Sequence, residues 1–202
     1  FYVRSSGGPA SFALPQSYRS LGDPPFYKED LTNTFDIIVE AKNGGFKDKT
    51  RVRFGDNGET NGFDNMLDAN KLKARGAQPT LKTRFRGVDY SINSLSLEDY
   101  PMTIPMDLIP GVSGEFEFTA EYLGQFDVEA HVYLEDLKKG LIQELTVNPV
   151  YKFTADESDD PERFLLHFRL GGDDPMYTGE DLLMYAHDGS AYLFIPELRG
   201  SA

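Results

Sequence analysis

Apolar and polar side chains alternate along most of this chain, and a period of two commits it to β-strands. Phe35, Ile37, Val39 and Ala41 alternate with Asp36, Ile38 and Glu40. Val52 and Phe54 alternate with Arg51 and Arg53, which gives one dry face and one wet face. Leu81, Thr83 and Phe85 run into Arg86-Gly87, and Val88, Tyr90 and Ile92 follow, so this stretch reads as a hairpin. Met102, Ile104, Met106 and Leu108 alternate too, although Pro101, Pro105 and Pro110 demote that run to an edge or irregular strand. Phe116 and Phe118 mark one further strand, and Val128, Ala130, Val132 and Leu134 another. Tyr151, Phe153 and Ala155, then Phe164, Leu166 and Phe168, flank an acidic turn and form a second hairpin. Helical signals are sparse, with one or two turns at residues 64–72.

Many short strands broken by turn residues predict an all-β fold, an antiparallel β-sandwich of jelly-roll or Ig-like type with an additional C-terminal hairpin. Phe63, Val132, Leu134, Phe153, Phe164 and Phe168 are its expected core. Two boundaries divide the chain. Gly22-Asp-Pro-Pro25 is a connector, so residues 1–30 read as closing strands of a preceding module. Gly171-Gly-Asp-Asp-Pro175 separates the sandwich, residues 31–170, from a terminal piece, 171–202. There Asp188-Gly189 turns a last hairpin. The chain opens at Phe1 without Met, which reads as part of something longer.

Composition narrows the functions. With 202 residues and a net charge of −13, the chain repels nucleic acid and anionic lipid, and neither is an expected partner. The absence of cysteine excludes thiol catalysis, disulfides and thiolate metal sites. No apolar run reaches the roughly 20 residues of a membrane span. His131, His167 and His187 lack close metal-ligand spacing and read as ordinary surface or half-buried histidines on strands. No G-x-S-x-G motif supports a serine hydrolase. Neighbouring carboxylates at Glu135 and Asp136, Asp159 and Asp160, and Asp173 and Asp174 read as solvated turns, because glycosidase chemistry needs two carboxylates across a cleft.

One loop imitates a calcium site. Asn57, Glu59, Asn61 and Asp68 stand at positions one, three, five and twelve, with Gly62 at six. The leading Asp and the bidentate Glu are absent. The stronger reading is a turn at Asn61-Gly62, with Phe63 plugging the core and Asp68 capping a short helix. No cofactor is expected, and calcium is the reserve ligand.

Four stretches carry a family resemblance. Phe1-Tyr-Val-Arg4, with Ser11-Phe-Ala-Leu14 and Arg19, looks like the end of a preceding module. Thr50-Arg-Val-Arg-Phe54, Asn61-Gly-Phe-Asp64 and Asp68-Ala-Asn-Lys-Leu72 look like a sandwich signature. Val132-Tyr-Leu-Glu-Asp-Leu137, Leu145-Thr146, Asn148-Pro149 and residues 151–168 look like its closing hairpins. Leu183-Met-Tyr185, Gly189, Ala191-Tyr-Leu193 and Pro196-Glu-Leu198 look like the first hairpin of a sorting domain. Together they resemble the C-terminal β-sandwich region of secreted Bacteroidetes proteins next to a type IX secretion C-terminal sorting domain. Here the later strands of that domain are missing, and residues 171–180 make a longer linker than the family leads one to expect. The resemblance implies a non-catalytic module on a secreted or cell-surface protein, acting as a spacer, with the type IX secretion machinery as partner. The alternative is a carbohydrate- or protein-binding module of an adhesin. It needs exposed aromatics such as Tyr90, Tyr133 or Tyr192, since rings stack on sugar faces.

Overall fold

The computed structural model describes residues 32–55, 62–96, 102–126 and 129–170, and the backbone of 183–187 and 190–194. The described residues are all-β. In chain order the strands are β1 (Thr34–Ala41), β2 (Phe46–Gly55), β3 (Ala69–Asn70), β4 (Thr80–Phe85), β5 (Val88–Ser96), β6 (Met102–Ile109) and β7 (Gly114–Glu121). They continue with β8 (Ala130–Asp136), β9 (Leu141–Glu144), β10 (Val150–Ala155), β11 (Phe164–Leu170), β12 (Leu183–His187) and β13 (Ser190–Phe194).

The expected pair of facing antiparallel sheets is replaced by one mixed sheet. Its hydrogen-bonded order is β10-β7-β1-β2-β5-β4-β6-β11-β8-β9, with β3 added onto β5, and it curls nearly into a barrel. The β2–β5 ladder is parallel and connects the two walls. Alternation tells each strand which face is dry. It does not tell whether the dry faces belong to two sheets or to one curled sheet. Strands β12 and β13 pair antiparallel as a separate two-stranded sheet.

The hairpin expected of residues 151–168 does not form, since β10 pairs with β7 and β11 with β6 and β8, but the one at Arg86-Gly87 does. Phe85 faces Val88 across Arg86 and Gly87, whose φ values of 48° and 78° make the left-handed two-residue turn that matches strand twist. Other expectations are corrected too. Residues 64–72 form no helix: one turn closes with Asp68 N–H donating to Asp64 O, and Ala69–Asn70 then joins β5. The run at 102–109 is a central strand between β4 and β11, not an edge. Leu108 N–H donates to Pro161 O beside β11, so odd-numbered residues of β6 turn their amide groups toward β4. The β4 ladder ends at the Thr83–Met106 pair. Pro105, one residue further, has no N–H with which to extend that ladder, while it stays paired with Leu165 of β11.

The core lies between the walls. Val132, Leu134, Phe153, Phe164 and Phe168 are buried in it as expected, each at most 4% exposed. Phe63 is the exception, half-buried against the Tyr90 ring at 5.9 Å. Phe168 on β11 stacks on Phe54 of β2 at 4.0 Å, and Phe164 meets Phe118 of β7 edge-on at 4.8 Å. Aromatic rings thus bridge strands far apart in sheet order, which holds the curl closed.

Candidate functional site

Three polar groupings stand out, and each follows from where the strand register points its residues. The first closes the barrel. Strands β9 and β10 end the sheet and share no ladder. Ala120 N–H donates to Pro149 O. Tyr151, Phe153 and Ala155, at the same parity, therefore face β7, and the amide groups of Val150, Lys152 and Thr154 face the gap. Side chains cross it instead of a strand. Gln143 Nε2 donates to Asn148 O (2.8 Å) and Val150 O (2.9 Å), and Arg163 Nη1 donates to Thr154 O (2.8 Å). Asp136 anchors this seam. Its carboxylate accepts from Arg163 Nε (2.8 Å) and Nη2 (2.6 Å) and from the Tyr151 hydroxyl (2.9 Å). The Arg163 guanidinium also lies over the Phe153 and Phe164 rings, at 5.0 and 4.8 Å from their centroids. Burial pushes the Asp136 carboxyl up, but Arg163 and Tyr151 more than offset it and hold the group below the usual carboxylate range. Burial and the Asp136 charge push the Tyr151 hydroxyl up.

The second grouping is a row on the outward face. His167 of β11 lies opposite Thr103 of β6 and Tyr133 of β8. Its Nδ1 sits 3.1 Å from Thr103 Oγ1, and its Nε2 sits 2.8 Å from Glu135 Oε2. A hydroxyl, an imidazole and a carboxylate in sequence have the connectivity of a nucleophile, its base and an orienting group. His167 is only 4% exposed, however, so a substrate has no open approach to that ring. Next along the row, His131 Nδ1 lies 2.7 Å from Glu144 Oε1 and the ring stacks on Tyr133. Burial, with Glu144 nearby, pushes the Tyr133 hydroxyl up to about 12.

The third surrounds Asp107, fully buried on β6. Arg84 Nη2 lies 2.5 Å and Lys82 Nζ 3.3 Å from its Oδ2. Both cations also face Asp89, and Arg84 meets Glu162 as well. Here burial outweighs Arg84 and Lys82, and the Asp107 carboxyl is pushed up.

The sequence-predicted site residues fall differently. Asn57, Glu59 and Asn61 lie outside the described residues, so only Asp68 of the calcium-like loop can be placed. Its Oδ2 accepts from Asp64 N–H (2.8 Å) and its Oδ1 from Ser94 N–H (2.7 Å). Asp68 therefore caps no helix; its carboxylate closes a turn against β5. No group of three or more His, Asp or Glu among the described residues is arranged to hold a metal. Replacing Asp68 with alanine orphans two backbone donors and is expected to cost about 1–3 kcal/mol, equally with and without calcium. A calcium-induced rise in melting temperature that Asp68→Ala abolishes would make this loop a ligand site after all.

Two further expectations are corrected. Glu135 and Asp136 are not solvated turn residues: they end β8 and are 8% and 0% exposed. Tyr90 and Tyr133, proposed as sugar platforms, are 1% and 8% exposed and offer no ring face. Tyr192, Asp173 and Asp174 lie outside the side chains described. The seam residues Gln143 and Arg163 escaped sequence reasoning, because nothing local marks a side chain that bridges two sheet edges. Comparison with known proteins returns no matching family, no matching curated protein and no matching solved structure.

Proposed function

We propose that this chain is a non-catalytic extracellular β-module that acts as a spacer beside a type IX secretion signal on a secreted or cell-surface protein. The observation that carries this reading is the seam. Asp136, Arg163, Tyr151 and Gln143, the most specialised polar side chains of the fold, are engaged in closing the sheet on itself. A body latched in this way keeps its shape between neighbouring modules. The hydroxyl–imidazole–carboxylate row fits the same reading as a cross-strand polar ladder, since Thr103, His167 and Tyr133 are register neighbours. The resemblance of residues 183–198 to the start of a sorting hairpin supplies the link to secretion.

The test is export. The full-length protein is expressed in a type IX-competent host with and without residues 171–202. Loss of surface display on deletion, with the protein retained in the periplasm, supports the reading. Undiminished display would remove secretion from it and leave the β-module alone.

A further inference from the structure

We propose that Lys82 and Asp107 join after folding in an isopeptide bond, a covalent cross-link between β4 and β6. The inference goes beyond the spacer reading and does not rest on it. The two residues face each other directly in the β4–β6 ladder. Lys82 Nζ lies 3.3 Å from Asp107 Oδ2, one bond from the carbon it attacks, and the two side chains are 11% and 0% exposed. Among the described residues no other lysine and carboxylate are so fully enclosed together. Lys71 is as buried, but its partner Asp48 is more open and already accepts from the Leu81 N–H.

The surroundings supply what the condensation needs. Burial pushes the Asp107 carboxyl up and so favours transfer of one ammonium proton to it, which leaves an uncharged acid facing an uncharged amine. As the amine adds to Cγ, Asp89 Oδ2, 2.6 Å from Nζ, takes the surplus proton of the nitrogen. Arg84 Nη2, 2.5 Å from Asp107 Oδ2, balances the negative charge that gathers there. Oδ1 has no hydrogen-bond partner and is the oxygen free to leave. The Cγ–N bond forms and the Cγ–Oδ1 bond breaks. The departing oxygen carries off the acid proton and the one that Asp89 took, as water. An ammonium and a carboxylate thus become one amide and one water, with no co-reactant. Between dilute partners in water this condensation is unfavourable. Groups fixed face to face react at effective molarities on the order of 10⁵–10⁸ M, and the product replaces two desolvated charges by one neutral amide. The link closes residues 82–107 into a covalent loop and keeps β6 from peeling off β4. Freshly folded chain holds the ion pair, and aged chain holds the amide.

Intact-mass spectrometry of the folded 202-residue chain, fresh and after prolonged incubation at neutral pH, tests the assignment. The aged wild type is expected to lose about 18 Da, the mass of one water, and tandem spectra of its digest should join a β4 peptide to a β6 peptide. Lys82→Arg keeps the positive charge but offers no amine that can condense, and it should keep its full mass. Asp107→Asn should lose about 17 Da instead, since ammonia replaces water as the leaving group. Asp89→Asn should slow the loss about tenfold or more. Circular dichroism establishes that each variant is folded. An aged, folded wild type of unchanged mass overturns the proposal. A water loss of the same size in Lys82→Arg, as cyclisation at Asp188-Gly189 would give, overturns it as well.

Discussion

Asp136→Ala is expected to destabilise the fold by about 3–5 kcal/mol, the cost of removing one partner from a buried ion pair. The change strips Arg163 of its two-pronged acceptor while that guanidinium stays only 4% exposed, and it leaves the Tyr151 hydroxyl without its acceptor. Arg163 also holds Thr154 O. The damage should therefore reach the β10 edge, and the amide of Phe153, which faces β7, should exchange faster with solvent. Denaturant unfolding followed by tyrosine fluorescence and circular dichroism measures the loss. A midpoint unchanged from wild type would mean that the seam does not hold the barrel. Asp107→Asn provides the contrast. Burial outweighs the attraction of Arg84 and Lys82 there, so a neutral side chain removes a penalty, and Arg84 keeps Glu162 and Asp89. Its midpoint is expected near the wild-type value or above it.

The same two carboxylates act with opposite sign as pH changes. Asp136 is held below its unfolded value, as is Asp36, which Arg51 grips at 2.6 Å. The stability they contribute is fully present above the unfolded carboxylate pKa of about 4 and is lost as pH falls through their lower folded values. Asp107 is raised, so its ionisation works against folding at neutral pH, and that penalty fades as pH falls through its folded value. Acid unfolding of the wild type should thus set in mainly below pH 4, and Asp136→Asn should flatten the acid limb of the stability curve.

Much of the fold was legible because sheet faces are written locally. Phe35, Ile37 and Val39 point inward because alternation leaves them no other common face, and Arg86-Gly87 had to turn. What stayed hidden is non-local. The parallel pairing of Arg51–Gly55 with Ile92–Ser96 depends on which strands meet after the chain curls, and no residue in either segment encodes the partner. The same limit explains Pro105, excluded from a central strand by a general rule that the end of one ladder relaxes. Asp136 was readable in principle. It follows Val132 and Leu134 at the same spacing of two, and that places it on the dry face. Its neighbours in sequence, two lysines and a glycine, suggested a solvated turn instead. A carboxylate on an inward parity position asks for a buried cation, and Arg163, just before β11, is the one that the register supplies.

Phe168→Ala is expected to cost about 3–5 kcal/mol, in the range of large-to-small changes in packed cores. Its ring is fully buried, lies 4.0 Å from Phe54, and also meets Phe126 at 5.2 Å and Phe35 at 6.1 Å. These partners sit on β1, β2 and the segment after β7, so the ring ties β11 to the opposite wall. Neighbouring rings held by their own strands cannot collapse into the space, and the loss includes a cavity as well as buried area. Phe168→Leu keeps most of the volume and should cost markedly less. A sheet that merely lay open would expose Phe168 and make both changes mild. Equal and small effects of Ala and Leu would therefore show that the two walls do not meet here, whereas a large, size-dependent loss shows that aromatic packing across the interior, together with the polar seam, closes the sheet.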